Sequence, residues 1–164
     1  MACLWLTGHL YARPHMGVKR EFGTVVSRAL SGGVRLTDAE HSIVCALVDA
    51  LPPQLRSVVE VQFNSYNLVQ READQRGLNF YLKRGGKVMA QGLPLLSHKG
   101  VEAPLVRITA RLLDSEPPLH AVLTAVNGRA FQVTLDRRLV LLEHVECVRV
   151  EDTVHAWRSN FTVP

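Results

Sequence analysis

The clearest apolar pattern in the chain lies over residues 37–51. Ile43, Val44, Leu47, Val48 and Leu51 recur at the three- and four-residue spacing of one helix face. Asp38, Ser42, Cys45 and Asp49 occupy the other face. Thr37 and Glu40, three apart, have the composition of a capping box at the first turn. Pro52 and Pro53 end the helix, and Pro53 suits the first position of a second one, where its missing N–H costs nothing. Leu55, Val58, Val59, Phe63 and Tyr66 continue at helical spacing. Val59, Val61 and Phe63 also alternate as a strand would, but the longer period favours a helix.

After Asn67 the period changes to two. Leu68 to Glu72, a loop from Ala73 to Gly77, and Leu78 to Lys83 predict a hairpin. Residues 84–104 are punctuated by glycine and proline and predict a short strand plus loop. Over 105–113, Val106, Ile108, Ala110 and Leu112 alternate with Arg107, Thr109 and Arg111. This predicts a strand, although Pro104 would also suit a helix start. Residues 119–126 and 130–136 flank Asn127-Gly128, a pair that accepts positive φ at both positions of a tight hairpin turn. A last strand is expected over 145–151. Near the start, Phe22, Val25, Val26, Ala29 and Leu30 predict a short helix within 19–31, stopped by Gly32 and Gly33.

Helices first and strands later make the class α+β, with N-terminal helices packed on a mainly antiparallel sheet. Residues 1–18 lack a period and read as an irregular leader, and 19–164 as one domain. Met16, near the end of that leader, is a second candidate start. A chain of 164 residues supports a core of its own. Apolar residues at 47% and charged residues at 21% exclude disorder and fibrous classes. No apolar run is long enough for a membrane span. Three scattered cysteines, Cys3, Cys45 and Cys147, argue against a disulfide scaffold. The apolar start is interrupted at Thr7 without a preceding basic residue, so no export signal is expected and the location reads as cytoplasmic.

The net charge is +4, and it is uneven. Residues 53–100 carry seven basic and three acidic side chains, a net of +4, while the flanking segments nearly cancel. Arg71, Arg76, Lys83, Arg84 and Lys87 concentrate this excess on the segment 68–87, beside Phe80 and Tyr81. Adjacent strand residues point to opposite faces, so one of the two rings is core. A basic hairpin with an aromatic ring suits an acidic protein surface or single-stranded nucleic acid. The competing reading is a solvated face.

Most catalytic signatures are absent. Arg84-Gly85-Gly86-Lys87 resembles part of a phosphate loop, but Tyr81 stands where the first glycine belongs and Val88 follows the lysine. His41 with Cys45 and His144 with Cys147 contain zinc-ligand types without finger spacing, so no metal or cofactor is expected. His120 near Glu116, and Glu143 before His144, are the candidate acid–base pairs of a small histidine–carboxylate enzyme.

The expectation is a small non-enzymatic protein-binding module without catalytic residues, of the kind that includes bacterial toxin-neutralising immunity and accessory proteins. Its partner contacts are assigned to Arg71, Arg76, Tyr81, Lys83, Arg84 and Lys87. The first alternative is a nucleic-acid-binding module using the hairpin 68–87, and the second is the small enzyme.

Overall fold

The computed structural model describes residues 36–89, 92–97, 101–111, 117–138 and 148–156. The leader, the helix expected over 19–31, Cys3, Glu116, Glu143, His144 and Cys147 lie outside the described residues.

Helix α1 spans Asp38–Asp49 and starts as its sequence dictates. Thr37 Oγ1 accepts from the Glu40 N–H at 3.2 Å, and Glu40 Oε2 accepts from the Thr37 N–H at 2.7 Å. Two otherwise orphaned donors of the first turn are thereby satisfied. Pro52 then caps α2, Pro53–Ser65, with Pro53 at its first turn. The helical period thus prevails over the alternating one across 59–63. Ala39, Ile43, Val44, Leu47 and Val48 of α1 are buried, as are Leu55, Val59, Gln62 and Phe63 of α2.

Strands follow at β1 Leu68–Arg71, β2 Gly77–Tyr81, β3 Lys83–Arg84, β4 Lys87–Val88, β5 Glu102–Arg111, β6 Leu119–Val126, β7 Arg129–Leu135 and β8 Arg149–Val154. Six of them form an antiparallel sheet in the order β1-β2-β7-β6-β5-β8, and β3 and β4 pair separately. α1 lies over β5 and β6, and α2 over β7. The covered face carries Leu78, Phe80, Ile108, Ala110, Ala121, Leu123, Val133 and Leu135, all buried. Each buried Leu, Ile, Val or Phe contributes about 1.5–3 kcal/mol by leaving water. Phe63, Tyr66 and Phe80 meet largely edge to face, with Phe63 and Phe80 centroids 4.8 Å apart.

The turn at Asn127-Gly128 has φ of 49° and 76°, joining Val126 to Arg129 as the dipeptide predicts. β5 runs through Pro104, and its register with β6 shifts between Pro104 and Val106. Proline lacks a ladder N–H, which explains an irregularity at this point. β8 covers Arg149–Val154, and 145–147 of the strand expected from sequence lie outside the described residues. No described helix is long and apolar enough to cross a membrane.

Candidate functional site

The sheet sorts the basic residues of 68–87 into two groups. Arg71 pairs with Leu78 in register, which puts it on the helix-covered face. There its Nε and Nη2 donate to Oε1 and Oε2 of Glu40 at 2.7 and 2.6 Å. Glu40 is 1% exposed, so this bidentate pair replaces lost hydration of a buried carboxylate. Arg76 sits in the turn between β1 and β2, where its N–H donates to Asp74 Oδ1. Lys83, Arg84 and Lys87 lie beyond the far end of β2. β2 rises roughly 3.3 Å per residue, so Arg76 and Lys83 are about 20 Å apart. That exceeds the screening length of about 10 Å at 0.1 M salt, so the two ends act as separate charges.

The second group forms a defined object. Gly85 and Gly86, at φ 55° and 82°, make the two-residue turn between β3 and β4. Both values are left-handed, which explains the glycine pair without any phosphate-binding role. Asn67 clamps the hairpin at its base. Its Nδ2 donates to the Lys83 carbonyl and its Oδ1 accepts from the Lys83 N–H, both at 2.7 Å. The Met89 N–H closes the base onto the Leu82 carbonyl at 2.7 Å. Residues 83–88 are all exposed, and among the described residues no carboxylate pairs with Lys83, Arg84 or Lys87. Phe80 is core, whereas Tyr81 is half-buried on the open face, edge to face with Phe131 at 5.1 Å.

The same end of the sheet contains a second construction that the sequence does not announce. Gln62 is fully buried. Its Nε2 donates to the carbonyls of Pro94 at 2.6 Å and Gly128 at 3.0 Å, and its Oε1 accepts from the Ala130 N–H at 2.7 Å. Tyr66 donates its hydroxyl to the Ala130 carbonyl at 2.8 Å. Burial pushes the Tyr66 phenol well above the ordinary tyrosine range, with Arg129 opposing in part. Ala130 lies where the β6–β7 register shifts, so side chains from α2 and its C-cap bond both main-chain groups of this residue. The one available signal was a glutamine three residues after Val59 and four before Tyr66, on the apolar side of its helix.

The candidate acid–base and metal groups are sparse among the described residues. Cys45 Sγ lies 3.8 Å from either ring nitrogen of His41, one turn apart on α1. His120 Nδ1 lies 3.1 Å from Thr109 Oγ1 across β5 and β6. Among the described residues no group of three or more His, Cys, Asp or Glu side chains converges on a metal-sized site. No protein-family model, curated protein or solved structure matches the chain.

Proposed function

We propose that the chain is a non-enzymatic protein-binding module that receives an acidic partner surface on the β3–β4 hairpin. The observation that carries this reading is the hairpin itself: three cations on a glycine-turned, Asn67-clamped projection with every residue exposed. Cations on a fixed support, with no carboxylate partner among the described residues, attract a complementary surface and accelerate its encounter. A module that occludes its partner without transforming it fits the immunity and accessory class. The net charge of +4 speaks against the version that neutralises a basic nuclease.

One observation favours nucleic acid as a second reading. Tyr81 and Phe131 are both half-exposed on the open face, next to the strand that leads into the hairpin. Rings beside cations are what single-stranded nucleic acid uses. The edge-to-face contact between them limits the flat surface left for stacking.

Affinity capture from native cells tests the proposal, with wild-type protein beside a Lys83→Gln, Arg84→Gln, Lys87→Gln variant and nuclease-treated extract. The expected result is an acidic protein retained at low salt, released as salt rises, and missing from the variant eluate. Equal retention by the variant, or retention of nucleic acid alone, refutes it.

A further inference from the structure

The proposed hairpin surface does not stand alone. Two of the most exposed apolar side chains among the described residues, Leu95 at 56% and Val101 at 66%, belong to segments attached to the same end of the sheet. Both segments are bonded to the Asn127-Gly128 turn. The Leu96 N–H donates to the Gly128 carbonyl at 2.8 Å, and the Asn127 N–H donates to the Val101 carbonyl at 2.7 Å. The Leu95 side chain also crowds the turn, since a Cβ at Gly128 would stand 3.2 Å from the Leu95 Cβ. Gln62 ties down the Pro94 carbonyl from beneath. These apolar groups are therefore displayed on backbone that three hydrogen bonds hold in place, one of them from the buried Gln62 side chain.

The topology sets the hairpin beside them. β7 starts at Arg129, directly after the turn, and β2 is its neighbour in the sheet. The hairpin leaves from the end of β2 nearest that turn, because Asn79 is opposite Gln132 and Tyr81 packs on Phe131. Strands in a sheet are about 4.8 Å apart, so the cations and the apolar residues fall within the footprint of one ordinary interface. Exposed Glu102 stands next to Val101 at the start of β5 and sets the polarity of the surface. A partner that is acidic throughout is repelled at Glu102. A partner that presents carboxylates to Lys83, Arg84 and Lys87 and apolar side chains to Leu95 and Val101 is not.

From this we infer that the sheet end is a composite docking surface for a protein segment that is acidic on one part and apolar on the other. The hairpin steers the segment, and Leu95 and Val101 anchor it. This rests on the hairpin reading of the preceding section and adds the anchor and its chemistry. Because the backbone beneath Leu95 is already ordered, little conformational freedom is lost on docking.

Two peptides of 14 residues test it by calorimetry or fluorescence anisotropy at low and high salt. One contains Glu, Asp and Ser with two leucines, and its twin carries Ser at both leucine positions. The leucine peptide is expected to bind about tenfold tighter, in line with partial burial of one aliphatic side chain. The Leu95→Ser, Val101→Ser variant should remove that difference while leaving the twin's affinity unchanged. Both substituted residues are largely exposed, so an unchanged denaturation midpoint is the expected control. Equal binding of the two peptides, or a preference that survives in the variant, overturns the anchor and leaves the hairpin reading standing. If neither peptide binds, or if the triple glutamine variant binds both as wild type does, the hairpin reading falls with it. Displacement of both peptides by a thymidine 15-mer that binds more tightly makes the surface a nucleic-acid site and also overturns the inference.

Discussion

Gln62→Leu is the substitution whose cost follows most directly from the structure. Leucine keeps the volume and the helix propensity and removes three hydrogen bonds. The three partners are not left equally exposed to the loss. The Gly128 carbonyl still accepts from the Leu96 N–H. The Ala130 N–H has no replacement in a residue that is fully buried, and the Pro94 carbonyl loses the donor that ties its loop to α2. Pro94 is exposed, so its carbonyl can turn to water, and the one buried group left unsatisfied, the Ala130 N–H, costs about 1–3 kcal/mol, centred on roughly 2 kcal/mol. For a chain of this size that lowers the melting temperature by about 4–8 °C. Denaturant unfolding measures the free energy, and hydrogen exchange at Leu96 reports whether the loop loosens before the core. Tyr66→Phe supplies the second arm of a double-mutant cycle. Both side chains bond Ala130, so the two losses should fail to add by about 0.5 kcal/mol or more. A cost below about 0.5 kcal/mol for Gln62→Leu, with Leu96 protected as in wild type, would refute the clasp as a source of order at this end.

Gly128→Val should cost at least about 2 kcal/mol in the same unfolding assay, more than a left-handed turn position alone. The new Cβ would stand 2.8 Å from the Leu96 carbonyl oxygen, which is backbone and cannot swing aside. Arg71→Met should destabilise by about 2–4 kcal/mol, since it leaves the Glu40 carboxylate buried without its cation. The triple glutamine change in the exposed hairpin should cost less than about 0.5 kcal/mol, and equal losses for Arg71→Met and the triple change would contradict the division of the basic residues. Glu151 is held below the usual carboxylate range, chiefly by the hydrogen bond from Arg111. A depressed carboxyl contributes stability above its unfolded-state value and loses it as pH falls through the folded one. Carbon-detected NMR should therefore show the Glu151 titration moving up toward the ordinary range in Arg111→Gln, and no movement would remove Arg111 as the cause.

Much of the local structure was legible because it depends on neighbours within four residues. Thr37 and Glu40 start α1, and Pro52 and Pro53 separate it from α2, through bonds and clashes inside one turn. Asn127-Gly128 makes its hairpin because both residues accept positive φ, and the α+β class follows from the order of the two periods. What the residues could not announce are partners far away in the chain. Arg71 looks like one more surface cation until Glu40, thirty-one residues earlier, is found beneath it. Whether Arg76 belongs with Lys83 depends on β2 running between them. The glycine pair at 85–86 resembles a phosphate loop until β3 and β4 are seen to pair across it. The contacts of Gln62 span 32 to 68 residues, and β7 inserts between β2 and β6 in an order that no local pattern encodes. Torsion preferences and caps act within a turn of chain and are readable there. Strand order and buried polar pairs are chosen by the whole core, where the alternative to a distant partner is an unsatisfied group away from water.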